Sequence, residues 1–442
     1  MDCSGKNIVV LGLGRSGQAA ARLACARGAT VTVCDSGDPD RLAGAASNLK
    51  GEGIDVVIGE QAEKLEQCPQ VVILSPGIDE SWPISAQFAE SGAEMIGEME
   101  FAYRFWNGEI VGITGTNGKT TTTELVAAFL NAGGIETEPA GNHGKPFSEL
   151  IIESTKSTTA TLEISSFQLE NIVDFTPNVA VWLNFAPDHL DRYTSLEAYR
   201  NAKLRLFENA GSETVIVHRT GEQVPTGDSR TITFNAFDDG ADYSFDGTHI
   251  RGASGETLEL AATRLRGRHN VENLMAAWAA ADSRGVSVEA VRSAAAAYQP
   301  PRHRNEFTAE VAGREFFNDS KATNLHALES SLRGCSEKVV LIAGGKEKGL
   351  PFVNLKETVA SKVSHAFLIG QIGPNVADVW GESVPCTVAP DLESAVSGAF
   401  EASTTGQSIL FSPGTSSFDM FSGYEERGDA FRDAVEALKK SI

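Results

Sequence analysis

Glu109-Ile110-Val111-Gly112-Ile113-Thr114-Gly115-Thr116-Asn117-Gly118-Lys119-Thr120-Thr121 is the stretch that decides the fold. The apolar run Glu109 to Ile113 predicts a buried strand, and Thr121 to Leu130 predicts a helix. The glycine-bearing turn between them lets backbone N–H groups converge on phosphate oxygens, and the helix N-terminus adds the positive end of its dipole. Lys119 can reach the outer phosphates, and the Thr120 hydroxyl can ligate Mg²⁺. An ordinary strand-turn-helix corner has no use for a lysine followed by a run of hydroxyls. Strict phosphate loops carry Gly where Ile113 stands, so this is a variant in which Gly112 and Gly115 supply the flexibility. Gly115, Thr116, Asn117, Gly118, Lys119, Thr120 and Thr121 are therefore read as an ATP site.

Outward from this loop, strands and helices alternate in both directions, the pattern of parallel α/β layers. A chain of 442 residues exceeds one core. A first unit has strands near Asn7–Leu11, Thr30–Cys34, Asp55–Ile58 and Val71–Leu74, and its character changes between Gly97 and Asn107. The central unit adds strands at Ala160–Ile164 and Val179–Leu183, and a helix opened by Thr194-Ser195-Leu196-Glu197, which reads as a capping box. Between Thr231 and Leu260, the turns Asp239-Gly240 and Asp246-Gly247 predict small antiparallel hairpins. Gln299-Pro300-Pro301-Arg302 ends an alanine-rich helix and reads as a linker. The last unit has strands at Val339–Ala343, Ala366–Ile369 and Ser408–Phe411 and a closing helix, Glu425–Lys440.

Composition narrows the function. A net charge of −22 with no basic stripe excludes a nucleic-acid partner. No apolar run approaches the ~18 residues a membrane span needs, and the short apolar start before Gly14-Arg15-Ser16-Gly17 is no signal peptide. The scattered cysteines Cys3, Cys25, Cys34, Cys68, Cys335 and Cys386 form no C-x-x-C and read as buried thiols of a reducing cytoplasm.

Other segments carry candidate chemistry. Gly12-Leu13-Gly14-Arg15-Ser16-Gly17, with Asp35 about twenty positions on, fits the dinucleotide fingerprint. Physically it states only that a phosphate or nucleotide approaches bare backbone, and tight helix–strand packing is the competing explanation. Glu163 ends an apolar strand beside the phosphate-loop strand, placed to hold Mg²⁺ directly or through water. His189, flanked by carboxylates in Asn184-Phe185-Ala186-Pro187-Asp188-His189-Leu190-Asp191-Arg192-Tyr193, suits a metal or substrate contact. Lys203, one turn above Tyr199, reads by itself as a solvated lysine. Three loops follow strands of the last unit: Asn318 to Asn324, Gly344 to Gly349, and Ser412 to Asp419. Their lysines, hydroxyls and glycines make anion-binding nests, and together they suggest a small acidic substrate.

The combination of Gly115 to Thr120, Leu162-Glu163-Ile164-Ser165-Ser166-Phe167-Gln168-Leu169-Glu170, Asp188 to Tyr193 and Asn318-Asp319-Ser320-Lys321-Ala322-Thr323-Asn324 resembles the Mur ligases over the whole chain. The Ser-Lys-Ala-Thr-Asn segment is similar to the branch that adds D-glutamate to UDP-N-acetylmuramoyl-L-alanine. The resemblance implies an α/β protein of three domains. These are a Rossmann-like N-terminal domain (1–99) for the UDP-sugar, a central P-loop ATPase domain (100–300) and a Rossmann-like C-terminal domain (301–442) for glutamate. It implies a monomeric, cytoplasmic, ADP-forming ligase of peptidoglycan synthesis, without nucleic-acid or membrane partners.

By the same resemblance, Lys119, Glu163, His189 and Lys203 are catalytic. Thr120 and Glu163 serve one of two Mg²⁺ ions, and His189 the other together with a carbamylated Lys203. Asn270 and Asn273 lie by the adenine, and Arg304 and Asp319 reach the ATP phosphates and ribose. Gly14, Arg15, Ser16, Asp35, Ser75, Pro76, Gly77, Asn142 and His189 contact the UDP-sugar peptide. Lys321, Thr323, Lys348, Ser417 and Phe418 hold glutamate, with Lys346 an equal candidate for the place of Lys348. Against the family pattern, His143 stands where a small aliphatic residue is usual, and Tyr424 replaces another aromatic.

Three other functions match parts of the sequence. An NAD-dependent oxidoreductase would use only the Gly12–Gly17 loop. A guanine-nucleotide switch lacks its Asn-Lys-x-Asp motif here. A folate polyglutamate ligase would not carry the N-terminal fingerprint. L-glutamate as the added amino acid stays open.

Overall fold

Runs of Val, Ile and Leu that are buried on both faces form parallel strands covered by helices. Val71, Val72, Ile73 and Leu74 are each at most 1% exposed, and burial of such side chains contributes about 1.5–3 kcal/mol apiece. The computed structural model describes residues 1–442 except 79–81, 91, 154–157, 190, 191, 266, 301 and 336. Among the described residues the strands assemble into three sheets. Leu190 and Asp191 of the His189 loop, and Pro301 of the linker, lie outside the described residues.

The first sheet is wholly parallel, in the order Asp55–Ile58, Thr30–Asp35, Asn7–Leu11, Val71–Leu74, Glu94–Gly97. Leu11 pairs with both Cys34 and Leu74, so Gly12, Asp35 and Ser75 leave the sheet at one edge. The last strand was not anticipated. Glu94-Met95-Ile96-Gly97 is short and opens on a charge, and its pairing with Val71–Leu74 supplies what its own pattern does not.

In the central sheet the phosphate-loop strand Glu109–Thr114 lies between Thr159–Glu163 and Val179–Trp182. Ile113 is opposite both Glu163 and Val181. The carboxyl ends of these strands are therefore level, the place where open α/β sheets bind ligands. The Asp239-Gly240 expectation is corrected: Arg230–Asn235 and Tyr243–Phe245 pair in parallel, so that turn closes no hairpin. Asp246-Gly247 does turn between the antiparallel strands Tyr243–Phe245 and His249–Arg251.

The capping box is also corrected. Ser195, not Thr194, caps the helix Leu196–Leu204, accepting from the Ala198 N–H at 3.0 Å, so Glu197 is one residue short of the reciprocal position. A true box occurs instead at Ser165 and Gln168, opening the turn after Glu163.

The third sheet runs Glu306–Val311, Arg314–Asn318, Ser408–Phe411, Val339–Gly344, Val363–Ile369, Cys386–Val388. Phe411 is opposite both Asn318 and Ile342, so the three predicted anion loops share an edge. Of the cysteines, Cys3 and Cys34 are buried as expected, but Cys68 is exposed. No described helix is long and apolar enough to cross a membrane.

Candidate active site

The phosphate loop has the conformation its glycines allow. Gly118, at φ +86°, precedes the helix Lys119–Ala132 without a side-chain cap, leaving the first N–H groups for a ligand. A Cβ at Gly118 would come within 2.2 Å of Asn273 Oδ1, so glycine is required sterically as well as conformationally. Lys119 Nζ donates to the carbonyls of Gly115 (3.0 Å) and Thr116 (2.9 Å). Thr121 is buried in the first helical turn.

Glu163 is 3% exposed at the end of the neighbouring strand. It accepts from Thr120 Oγ1 at 2.7 Å and from Asn142 Nδ2 at 2.7 Å. Burial alone would raise its carboxyl, but nearby Lys119, the two hydrogen bonds and Arg304 outweigh it and hold the carboxylate below its ordinary range. Arg304, from beyond the linker, donates to Thr120 Oγ1 at 2.7 Å. A hydroxyl, a carboxylate, an amide and an arginine from four segments thus meet at one point, beside Lys119.

Lys203 corrects the reading of a solvated lysine. It is 1% exposed, with Nζ 2.9 Å from the Gly115 carbonyl and 4.9 Å from the Tyr199 ring centre. Burial, aided by the like charge of Lys119, lowers its pKa well below the ordinary lysine value, against Asp188 and Glu163, which favour the cation. His189 has φ +53° and sets its ring edge-on to Phe167, 4.9 Å between centres. Asp188 Oδ2 is 3.8 Å from its Nε2.

Asn270 and Asn273 are buried beside the loop, with Asn273 Nδ2 donating to Asn270 Oδ1 at 3.2 Å. Asp319 is held by its own unit. Its carboxylate accepts from Ser331 Oγ (2.6 Å), Ser412 Oγ (2.9 Å) and the Asn305 N–H (3.1 Å), all within the C-terminal unit. Burial pushes it up to about 6.

The N-terminal residues gather in a cleft of about 560 Å³. Gly14, Arg15, Ser16, Asp35, Ser75, Pro76 and Gly77 line it from the first sheet, and Asn142 from the central unit. Asp35 is engaged with the backbone, accepting from the Leu13 N–H (2.7 Å) and the Gly37 N–H (2.8 Å). Gly17 packs: a Cβ there would sit 1.9 Å from the Gly12 carbonyl oxygen. His189 is not among the lining residues, whereas Trp82, Pro146 and Gln168, which were not anticipated, are. Gln168 was legible in principle from the Ser-x-x-Gln box; Trp82 and Pro146 carry no local signal.

On the glutamate side, Lys321 Nζ lies 3.7 Å from the Tyr424 ring centre. Burial, with Arg304 nearby, lowers its pKa to about 8, partly opposed by Glu425 and Glu163. Ser417 is buried and Thr323 half-buried, while Lys346, Lys348 and Phe418 are exposed. Arg427, which sequence reading missed, is 1% exposed and bonds Ser320 Oγ, the Ser320 carbonyl and the Thr415 carbonyl. It ties two anion loops together from the closing helix, a position with no motif. Asn324 donates to Asp188 Oδ2 at 3.0 Å, and His326 bonds Asn117, so the C-terminal unit touches the phosphate loop directly.

Known proteins are similar to this chain in sequence and in fold. Residues 6–97 match the Mur ligase MurD-like N-terminal domain, and residues 113–281 the Mur ligase middle domain. The UDP-N-acetylmuramoylalanine–D-glutamate ligase of Geobacter metallireducens is 39% identical, with 99% of each chain covered. The ligase of the same name from Trichlorobacter lovleyi is 38% identical over 99% of this chain and 100% of that one. In fold, the chain is similar to the MurF ligase of Thermotoga maritima solved with ADP (TM-score 0.63, 15% identity, 98% and 96% covered). It is similar also to the UDP-N-acetylmuramate-alanine ligase MurC of Thermotoga maritima (TM-score 0.62, 18% identity, 98% and 100% covered). With full-length identity of this order and matches to two of the family's domains, the chain belongs to the Mur ligase family, in its MurD-like branch.

Proposed function

We propose that this protein uses ATP to join D-glutamate to UDP-N-acetylmuramoyl-L-alanine, a step of peptidoglycan synthesis. The observation that carries the reading is the meeting of Thr120, Glu163, Asn142 and Arg304 around the mouth of the phosphate loop. Beside it lie a nucleotide-sized cleft and a set of anion loops. A carboxylate is a poor electrophile. Transfer of the γ-phosphoryl group to the acceptor's alanyl carboxylate makes an acyl phosphate; the glutamate amine attacks its carbon, and the tetrahedral adduct expels phosphate to leave the amide. Lys119 and Arg304 offset negative charge as the phosphoryl group moves. Lys321, Thr323, Ser417 and Lys348 or Lys346 receive the two glutamate carboxylates, with Phe418 beside them. Asn270 and Asn273 face the base. Arg15 and Ser16, at an uncapped helix start after Gly14, receive the UDP phosphates.

The donors fit magnesium. Thr120 and Glu163 present hard oxygens 2.7 Å apart. Among the described residues no three His, Cys, Asp or Glu side chains converge, which suits an ion that keeps water and substrate phosphates as ligands. Bound there, Mg²⁺ would neutralise phosphate charge. As an ammonium Lys203 cannot ligate. Its lowered pKa favours the neutral amine that adds CO₂, and the resulting carbamate beside His189 would complete a second site. We assign residues 1–99, 100–300 and 301–442 to the three domains, and expect a cytoplasmic monomer, since ATP and nucleotide-sugars are intracellular.

Phosphate release, measured with UDP-N-acetylmuramoyl-L-alanine and each glutamate enantiomer, tests the whole reading. Release only when the acceptor and D-glutamate are both present is expected. Equal release with L-glutamate would replace the amino acid, and release indifferent to both substrates would overturn the ligase.

A further inference from the structure

The turn that carries Asn142 also carries a histidine for which the proposed chemistry has no role. His143 Nε2 lies 2.9 Å from Glu124 Oε1, and Glu124 Oε2 accepts from the Tyr298 hydroxyl at 2.7 Å. Both carboxylate oxygens are therefore engaged. The three residues come from three elements. His143 follows the strand Thr137–Gly141. Glu124 lies one turn past Thr120 on the phosphate-loop helix. Tyr298 is the C-cap of the helix Val288–Ala297, just ahead of the linker.

From either end the path leads back to the same atoms. On one side Asn142 donates its side chain to Glu163 Oε1 and its N–H to the Glu163 carbonyl at 2.8 Å. On the other, the chain runs from Tyr298 through the linker to Arg304, which donates to Thr120 Oγ1, and Thr120 donates to Glu163. The contacts close a ring around the start of the phosphate-loop helix.

We infer that His143, Glu124 and Tyr298 are positioning residues that brace the Asn142 turn against the end of the central domain, where the linker to Arg304 begins, so that Asn142 and Arg304 reach the Thr120–Glu163 pair together. The inference rests on the ligase reading of that pair. None of the three touches the reacting atoms; their effect is on how often the two arms are in place at once, and small misplacements are costly in rate.

Tyr298→Phe removes one hydroxyl and keeps the ring, and His143→Ala removes the other end. In full-length protein assayed by phosphate release, each is expected to lower kcat about 10-fold while the KM for ATP and the melting temperature stay put. The double variant should fall no further than the weaker single, since both cut one chain, and His143→Gln, which keeps an N–H donor, should recover most of the rate. Singles indistinguishable from wild type, or losses that multiply in the double variant, would overturn the relay. A ligand-free readout separates this from the reading beneath it. Amide hydrogen exchange at residues 141–144 should quicken several-fold in Tyr298→Phe. If the wild type catalyses no ligation, the ligase reading fails, and exchange alone decides the relay: faster supports it, unchanged refutes it.

Discussion

Lys119, Gly118 and Asp319 show three ways in which one side chain matters. Lys119→Ala should cut ligation at least about 100-fold, the usual cost of losing a group that meets transition-state charge. Its unfolding midpoint should stay near wild type, because among the described residues the lysine's hydrogen bonds are to its own loop. Full turnover by that variant would remove Lys119 from the chemistry. Gly118→Ala must displace Asn273 and adopt a strained φ, so ATP affinity by calorimetry should collapse even though only a methyl group is added. Asp319 concerns stability. Burial raises its carboxyl from the ordinary 3.8 to about 6. The native state then binds more protons than the unfolded chain across this window. The contribution is fully present below about 4 and lost as pH rises through 6, on the order of 3 kcal/mol. Asp319→Asn, nearly isosteric, should flatten that part of the stability profile in urea titrations at successive pH values; an unchanged slope between pH 4 and 6 would mean that the carboxyl titrates normally.

At the scale of elements, the site depends on short segments held by specific caps and clamps. The helix Leu196–Leu204 carries Lys203 into the interior, and the Ser195 hydroxyl accepts from the otherwise free Ala198 N–H of its first turn. Ser195→Ala should destabilise by about 1 kcal/mol. The helix Glu98–Tyr103 joins the first sheet to the central one. Glu100, fully buried there, accepts from the N–H groups of Val173, Asp174 and Phe175 and from Arg104 Nε at 2.9 Å. Glu100→Ala would orphan three backbone donors together and leave the Arg104 guanidinium only its contacts with Glu94 and Asp174 among the described residues. A loss of about 3 kcal/mol in chemical denaturation is expected, and a loss under 1 kcal/mol would show that water replaces the carboxylate without cost.

For the whole molecule, the chemistry requires groups from separate domains to meet within reacting distance. The C-terminal unit reaches the phosphate loop through Arg304–Thr120 and His326–Asn117, and the neighbouring His189 loop through Asn324–Asp188. These contacts are polar and part-buried, the kind of interface that opens and closes. Solution scattering should therefore show contraction when ATP analogue and acceptor are added, and Arg304→Ala should diminish it. Superimposable curves with and without ligands would count against a closing motion.

The phosphate loop and the alternation of strands and helices were legible in the chain because they depend on local chemistry: glycine freedom, hydroxyl and lysine next to a helix start, apolar runs long enough for one strand. Family resemblance supplied the proposed roles of Lys203, Arg304, Asn142, Asn270, Asn273 and the glutamate-side residues, which no local pattern discloses. Folding alone decided that Lys203 is buried against Gly115, that Asp319 is consumed by Ser331 and Ser412, and that Asn142 and Arg304 converge on Thr120 and Glu163. It also decided that Glu94–Gly97 is a strand and that Asp239-Gly240 closes no hairpin. Short-range preference is written in neighbouring residues, but dielectric environment, strand partner and the meeting of distant polar atoms arise only when remote segments pack together.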